Sequence, residues 1–357
     1  MSPAQPVQGN HTVVNDGVAK VAVLGAGSWG TTFAKVLGDA ALSAGATREV
    51  QLWARRPDIA AEINSEHTNQ QYLKDTQLPS NISASADIAE VLDGAGIVVL
   101  AVPAQSLRAQ LRIWKPLLAP GAVVVSLMKG LERGTDARMS EVIVDELGID
   151  AQRVAVISGP NLAMEIARCE PTASVVACED ENLAHRLATL CTAPYFRPYT
   201  STDVVGVEIG GIVKNIIALA VGICEGRRMG DNTKASVITR GLAETSRLAL
   251  ALGGHAQTMA GLAGLGDLVA TCSSPLSRNH TAGRLLGEGL SQDELAEQMT
   301  QTAEGTKSAE AVFELALKHG IDMPITAAVV EVLAGRLPVE ELGPRLLSRE
   351  LKSEVSQ

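Results

Sequence analysis

One local pattern constrains the fold of this chain more than any other. The apolar run Val21-Ala22-Val23-Leu24 leads into Gly25-Ala26-Gly27-Ser28-Trp29-Gly30, and a helix-compatible segment follows. In a strand–glycine loop–helix unit, the first glycine permits the tight turn and the second lets the backbone approach a pyrophosphate. The third lets the helix pack close to the strand, and the helix N-terminus offers free N–H groups to an anion. The pattern therefore predicts a dinucleotide-binding unit that contains Gly25, Gly27 and Gly30.

Beyond this unit, the chain divides into two parts with different patterns. Up to about residue 200, apolar runs of strand length alternate with helix-compatible segments, which is typical of a parallel sheet covered on both faces. The predicted strands are Lys20–Gly25, Val50–Ala54, Gly96–Pro103, Ala122–Met128, Val154–Ser158 and Ala173–Cys178, with Phe196–Tyr199 as a further candidate. The helices predicted after residue 200 are Asp203–Cys224, Lys234–Leu252, Arg284–Gly289, Lys307–His319 and Ala327–Leu333.

The fold class is therefore α/β. A Rossmann-like N-terminal domain with a mainly parallel sheet is followed by an all-helical C-terminal domain. We expect a disordered tail over residues 1–18, the dinucleotide-binding domain over 19–200 and the helical substrate domain over 201–345. The charged residues 346–357 are expected to form a frayed C-terminal tail.

The composition limits the partners and the compartment. A formal net charge of −10 argues against nucleic acid and anionic membranes as partners. The five cysteines are dispersed, with no CxxC spacing and no Cys/His cluster, so we expect free thiols in a reducing compartment and no metal site. No basic residue precedes Lys20, and the longest apolar stretch, 209–224, contains Lys214 and Asn215 and is too short to span a bilayer. These features predict a cytoplasmic protein without membrane insertion.

The residues after the second predicted strand bear on the choice of cofactor. NAD-binding proteins often place an acidic residue there for the ribose hydroxyls. This chain has Ala54-Arg55-Arg56 instead, and two guanidinium groups suit a 2′-phosphate. The alternative is a solvated surface pair. The pattern favours NADP(H) over NAD(H).

Two lysines lie where chemistry is expected. Lys129 follows one predicted strand, and Ser158-Gly159-Pro160-Asn161 follows another, at the edge where open α/β sheets bind ligands. Lys214 lies inside a predicted helix that is apolar on every face and should be buried. Because burial lowers the pKa of a lysine, as would a neighbouring Lys129, Lys214 is a candidate general acid and base. A surface Lys129 and a snorkelling Lys214 are the structural alternatives.

A second polar set follows in the helical part. Asp267 comes after Gly264-Leu265-Gly266 and begins an apolar run, so an N-cap is its structural alternative. Ser277, Arg278 and Asn279 precede a helix expected to begin near Thr281. Guanidinium, hydroxyl, amide and helix N–H groups together can grip a phosphate.

With these residues in place, the chain resembles a known family over nearly all of residues 18–340. It is similar to the NAD-dependent glycerol-3-phosphate dehydrogenases, in particular to the bacterial NAD(P)+ enzymes. The resemblance is carried by the segments Gly25-Ala26-Gly27-Ser28-Trp29-Gly30-Thr31, Lys129-Gly130-Leu131-Glu132, Ser158-Gly159-Pro160, Gly211-Ile212-Val213-Lys214-Asn215, Gly261-Leu262-Ala263-Gly264-Leu265-Gly266-Asp267-Leu268 and Ser277-Arg278-Asn279.

The resemblance implies an oxidoreductase that interconverts dihydroxyacetone phosphate and sn-glycerol 3-phosphate and supplies the latter for phospholipid synthesis. It implies that Lys214 is the proton acceptor in the oxidation. The implied substrate-binding residues are Lys129, Gly159, Asn161, Lys214, Asn215, Asp267, Ser277, Arg278 and Asn279. The implied cofactor-binding residues, beside the loop glycines Gly25, Gly27 and Gly30, are Ser28, Trp29, Arg55, Arg56, Lys129, Ala163, Arg278 and Glu304.

The chain departs from the family pattern at two places. Asn161 stands where the family usually has Ser or Thr, and Thr302-Ala303-Glu304-Gly305 replaces the usual Val-Val-Glu-Gly. Two other functions stay open: an NADP-dependent hydroxyacid or ketoacid reductase of the same architecture, and an NADP(H)-sensing protein without turnover. The sequence also leaves the oligomeric state open, with a homodimer as one candidate.

Overall fold

A computed structural model describes residues 18–299 and 303–347. The two predicted tails therefore lie outside the described residues, except for Val18 and for Leu346 and Leu347, which end the last helix.

The N-terminal part is built on one eight-stranded sheet in the order β3-β2-β1-β4-β5-β6-β7-β8. Its strands are β1 (Lys20–Leu24), β2 (Glu49–Trp53), β3 (Ile82–Ser85), β4 (Ile97–Leu100), β5 (Val123–Ser126), β6 (Val154–Ser158), β7 (Thr172–Cys178) and β8 (Phe196–Ser201). Neighbouring strands are parallel except for the β6–β7 pair. The prediction of a mainly parallel sheet is confirmed, whereas the short strand β3 was not predicted.

Helices cover both faces of this sheet, as the continuous apolar strands require. They are α1 (Ser28–Ser43), α2 (Pro57–Glu66), α3 (Ile88–Leu92), α4 (Leu107–Trp114), α5 (Met139–Leu147), α6 (Ala163–Ala167) and α7 (Glu181–Leu190). Alternate residues of β1 face the two sides of the sheet. Val21 and Val23 pack in one core with α1, α2, α6 and α7. Ala22 and Leu24 pack in a second core with α3, α4 and α5.

The C-terminal part is helical, and the described residues after Ser201 contain no further strand. Its helices are α8 (Val204–Gly226), α9 (Asp231–Ala251), α10 (Ala256–Ala260), α11 (Asp267–Ser273), α12 (Arg278–Gly287), α13 (Gln292–Gln298), α14 (Glu304–Lys318), α15 (Pro324–Leu333) and α16 (Leu342–Leu347). A π-helical turn, Leu262–Gly266, leads directly into α11. The predicted start of α12 near Thr281 was wrong. The helix begins at Arg278, because the Ser277 hydroxyl accepts a hydrogen bond from the His280 N–H and caps it.

Helix α8 is the centre of the helical part. Asp203 caps its first turn by accepting a hydrogen bond from the Gly206 N–H at 2.8 Å. The helix is long and apolar enough to cross a membrane, but 94% of its most apolar stretch is buried inside the protein, as in the core helix of a globular fold. Helix α12 crosses it very closely, since a Cβ at Gly283 would lie 2.1 Å from the Leu219 carbonyl oxygen. This crossing brings the first turn of α12 to the middle of α8.

Candidate active site

The glycine loop has the geometry that a dinucleotide requires. Gly25 has φ +124°, and a Cβ at Gly30 would lie 2.0 Å from the Gly25 carbonyl oxygen, so both positions require glycine. A Cβ at Gly27 would meet nothing within 4 Å, which leaves open space over the start of α1. The buried Trp29 Nε1 has no hydrogen-bond partner within the described residues. An unpaired donor and an open helix N-terminus fit a phosphate-bearing ligand.

The two arginines after β2 differ in their surroundings. Both are exposed at the carboxyl end of the strand. Arg56 is the N-cap residue of α2 and forms an ion pair with Asp58 in the first turn of that helix. Arg55 makes no ion pair with any part of the chain that the structure describes. A 2′-phosphate would therefore meet one uncommitted guanidinium and one that already has a carboxylate partner.

The structure brings Lys214, Asp267 and Lys129 together from three different elements. Lys214 lies on α8 with 8% of its surface exposed, and Asp267, the first residue of α11, is 1% exposed. The Lys214 ammonium pairs with Asp267 Oδ1. Lys129, in the loop after β5, donates to Asp267 Oδ2 at 2.6 Å and to the Gly159 carbonyl at 3.3 Å. One carboxylate thus holds two ammonium groups beside the carboxyl ends of β5 and β6.

The Asp267 side chain serves as a charge partner and not as a helix cap. The N-cap position of α11 is Gly266, and no side chain caps it. The alternative of an N-cap at Asp267 was therefore wrong. The π-helical turn continues straight into α11, so the first N–H groups of that helix need no carboxylate.

Burial makes Lys214 chemically unusual. Desolvation, with help from the positive charge of Lys129, lowers the pKa of Lys214 from 10.5 to about 8, and Asp267 acts in the opposite direction. Both the ammonium and the amine form of Lys214 are then accessible near neutral pH. This is the property that a general acid and base needs.

Thr271 completes the surroundings of Lys214 and was not predicted. The Lys214 ammonium donates to Thr271 Oγ1 at 2.7 Å, and that hydroxyl lies 3.3 Å from Asp267 Oδ1. Thr271 is four residues after Asp267 on α11, so the two side chains share one helix face. That spacing was the sequence signal that could have identified Thr271.

Asn215 and Asn279 connect this centre to the second polar set. Asn279 Nδ2 donates to Asn215 Oδ1 at 2.9 Å, and Asn279 Oδ1 accepts from the Gly305 N–H at 2.8 Å. Asn279 therefore joins α8, α12 and the first turn of α14. Because Asn215 follows Lys214 directly, the first turn of α12 is tied to the helical turn that carries the lysine.

Arg278 and Glu304 place opposite charges at the starts of α12 and α14, where Arg278 is exposed and Glu304 is partly buried. Desolvation by the surrounding protein lowers the pKa of Arg278 and raises the pKa of Glu304, while each charge opposes the shift of the other. With Ser277 at the N-cap, the start of α12 offers a guanidinium, a hydroxyl and free N–H groups in one place. An anion at this position could form charge-assisted hydrogen bonds with the guanidinium.

The remaining predicted site residues lie around the carboxyl end of β6. Gly159, with φ +129°, follows the strand and places its carbonyl against Lys129. The amide oxygen and nitrogen of Asn161 are both buried without a hydrogen-bond partner in the described chain. Ala163 begins α6, and its carbonyl accepts from the Thr32 hydroxyl of α1 at 3.3 Å. Thr302 lies outside the described residues.

Both parts of the chain match one known protein family. Models of the N-terminus and the C-terminus of NAD-dependent glycerol-3-phosphate dehydrogenase match residues 20–184 and 203–343. Glycerol-3-phosphate dehydrogenase [NAD(P)+] of Thermobifida fusca is 56% identical over 337 residues, which are 94% of this chain and 99% of the relative. The crystal structure of glycerol-3-phosphate dehydrogenase from Coxiella burnetii has a TM-score of 0.86 and 38% identity, covering 93% of this chain and 99% of that one.

A weaker likeness concerns the fold alone. A ketopantoate reductase from Ralstonia eutropha superposes with a TM-score of 0.57 at 20% identity, over 92% of this chain and 99% of that one. The architecture therefore occurs with other dehydrogenase chemistry, and the fold by itself does not select a substrate. The two family models and the relatives do identify the family, because together they span both parts of the chain. The chain belongs to the NAD-dependent glycerol-3-phosphate dehydrogenase family.

Proposed function

We propose that this protein is an NAD(P)-dependent dehydrogenase that interconverts dihydroxyacetone phosphate and sn-glycerol 3-phosphate. The observation that carries the proposal is the buried Lys214, which Asp267 and Thr271 hold and which Asn215 follows directly on α8; Asn215 is linked through Asn279 to the start of α12. A proton-transfer group and an anion site are thus fixed relative to each other. A substrate with a carbonyl and a phosphate needs that combination.

Lys214 donates and accepts the proton on the C2 oxygen. During reduction the oxygen on C2 gains negative charge, and the Lys214 ammonium donates its proton to that oxygen. During oxidation the neutral Lys214 amine accepts the proton of the C2 hydroxyl. Asp267 and Thr271 hold Nζ in place, so little reorganisation is needed when the charge develops. Lys129 binds the substrate and keeps Asp267 paired in both protonation states of Lys214.

The phosphate group is bound at the start of α12. Ser277, Arg278 and Asn279 would hold it, with Gly159 and Asn161 lining the opposite side of the substrate. Because C2 is separated from the phosphate by one carbon, anchoring the phosphate places C2 at a defined position relative to Lys214. Binding energy from a group that does not react is thereby used to orient the carbon that does.

The cofactor would be held by the glycine loop. Gly25, Gly27 and Gly30 with Ser28 and Trp29 would bind the pyrophosphate region. Ala163, Lys129, Arg278 and Glu304 would lie toward the nicotinamide end. A bound nicotinamide supplies the two electrons and the hydrogen that reduce C2. The uncommitted Arg55, with Arg56 beside it, supports a preference for NADP(H), since a guanidinium pairs well with a 2′-phosphate.

The roles of the two domains, the compartment and the assembly of the protein complete the proposed function. We assign the cofactor to residues 19–200 and most of the substrate contacts to residues 201–345. The product would supply phospholipid synthesis in the cytoplasm. A homodimer is the assembly that we would test first by light scattering. Within residues 18–299 and 303–347 no group of three or more His, Cys, Asp or Glu side chains could hold a metal ion.

One assay tests the function. Oxidation of NADPH, followed by its near-ultraviolet absorbance, should be rapid with dihydroxyacetone phosphate and slow with unphosphorylated dihydroxyacetone. Rapid turnover of an unphosphorylated 2-ketoacid would favour the alternative reductase. Binding of NADPH without turnover of any of these substrates would favour a sensing protein.

A further inference from the structure

Asn69 lies beneath the glycine loop although it is distant in sequence. It belongs to the turn between α2 and β3, where its carbonyl accepts the N–H groups of Tyr72 and Leu73 at 3.1 and 2.8 Å. The residue is 0% exposed. Its Nδ2 donates to the Ala26 carbonyl at 3.0 Å and to the Thr31 hydroxyl at 2.9 Å. One buried amide therefore links the loop to the first turn of α1.

The contact with Ala26 fixes the direction of a neighbouring donor. The described peptide bonds include no cis bond, and in a planar trans peptide the C=O and the N–H point in opposite directions. Because the Ala26 carbonyl points inward to Asn69, the Gly27 N–H points away from the protein interior. That N–H has no hydrogen-bond partner within the described residues. A Cβ at Gly27 would meet nothing within 4 Å, so there is open space beside this residue.

The amide of Asn69 also has a defined orientation. Its Oδ1 is buried without a partner among the described groups, so both directed contacts are made by Nδ2. Turning the amide over would place Oδ1 against the Ala26 carbonyl, and that carbonyl would lose its donor. A buried amide with one unsatisfied oxygen is costly, and the contacts that it makes with the loop offset that cost.

We propose that Asn69 positions the cofactor-binding loop by holding the Ala26–Gly27 peptide with its N–H directed at the bound pyrophosphate. This inference rests on the proposed function, because it requires that the loop bind a dinucleotide. Asn69 itself does not touch the cofactor. It acts through the loop backbone, as a positioning residue.

The chain offers a matched control in Asn81. Its Nδ2 also donates to two acceptors, here the backbone carbonyls of Gly38 and Arg48, and its Oδ1 is also buried without a partner in the described chain. These contacts join α1 to the segment before β2 and do not involve the glycine loop. Asn69→Leu and Asn81→Leu therefore remove the same chemistry from two places in the same part of the molecule.

The test is direct titration of the folded full-length protein with NADPH and NADH, without substrate. We expect Asn69→Leu to raise the Kd about tenfold or more, and the isosteric Asn69→Asp to raise it further, because a carboxylate would repel the Ala26 carbonyl. Asn81→Leu should leave Kd within about twofold of wild type, even if both leucine variants lose similar thermal stability. In turnover, Asn69→Leu should raise KM for the cofactor while KM for dihydroxyacetone phosphate stays near the wild-type value.

Thr31→Val provides a milder variant if the Asn69 variants fold poorly. It removes one of the two acceptors, so Kd should rise by a smaller factor, and the double variant with Asn69→Leu should lose no more than Asn69→Leu alone. Equal Kd values for Asn69→Leu and Asn81→Leu, or for Thr31→Val and wild type, would overturn this inference alone. A wild-type protein that binds neither NADPH nor NADH would contradict the proposed function as well.

Discussion

The two parts of the molecule build their sites from different materials. In the sheet-based part, the cofactor site is mostly backbone: a loop of three glycines, the N-terminus of α1 and one buried amide behind them. In the helical part, the site is made of charged side chains: Lys214 and Asp267 are buried, Glu304 is partly buried and Arg278 is exposed. Backbone groups are neutral and do not titrate, so they can bind the cofactor but cannot transfer protons. Buried ionisable groups pay a desolvation cost and gain shifted pKa values, so they can transfer protons.

The largest effect should come from removing the buried charge. Lys214→Met keeps the length and the apolar packing but deletes the proton, and kcat should fall by about 10²–10⁴, the usual weight of a positioned general acid. The fold should survive. The lowered pKa means that charged Lys214 opposes folding below about pH 8, and that this cost is relieved as pH rises toward 10.5. Melting temperature and kcat should be measured on the same preparation.

Lys35 is the matched control for Lys214. It is 7% exposed, lies in α1 and pairs with Asp39 at 2.6 Å. Lys35→Met should lower the melting temperature and leave kcat near the wild-type value. If Lys214→Met instead lost stability and kept its kcat within about threefold, less than 1 kcal/mol of barrier, the lysine would be structural and Lys129 the next candidate.

The next effect concerns the anion site. Arg278→Ala should reduce kcat/KM for dihydroxyacetone phosphate about a hundredfold, mainly through KM, because the charge-assisted contact between the guanidinium and the phosphate is lost. Inorganic phosphate should compete with the substrate in the wild type. Arg284→Ala, later on the same helix and paired with the half-exposed Glu288, is the control and should change KM little. An unchanged KM in Arg278→Ala would remove this residue from the phosphate site.

The smallest effect should come from Arg55 and Arg56, because solvent screens the charge of these two exposed arginines after β2. Arg55→Ala should lower kcat/KM for NADPH by about tenfold and leave kcat/KM for NADH nearly unchanged. Arg56→Ala should cost less, because Asp58 already engages its guanidinium. Asp58→Asn should sharpen the preference for NADPH by releasing Arg56. Equal losses with both cofactors would show that these arginines do not discriminate.

The same contrast explains what the sequence could predict. The glycine loop was predicted because its spacing follows from local backbone geometry. The lysine in the apolar helix α8 was noticed because burial and charge conflict within one short segment. Strand β3 was missed, since Ile82-Ser83-Ala84-Ser85 is short and half polar.

Long-range contacts could not be predicted in this way. Both partners of Lys214 come from α11, more than 50 residues later, and no local sequence pattern indicates that contact. Asn69 contacts residues 38 and 43 positions earlier through a turn with no distinctive composition. The start of α12, by contrast, was misplaced although Ser277 is a favourable N-cap residue, because Arg278 and Asn279 were placed before the helix as part of a phosphate site.

The most direct test of Lys214 as the acid and base is the pH dependence of wild-type turnover in both directions. With a pKa near 8, reduction of dihydroxyacetone phosphate should decline as pH rises through that value, because it needs the ammonium form. Oxidation of sn-glycerol 3-phosphate should increase over the same interval, because it needs the amine. Opposite slopes at saturating cofactor, both lost in the residual activity of Lys214→Met, are the predicted result. Slopes of the same sign, or the same profile in Lys214→Met, would contradict the account.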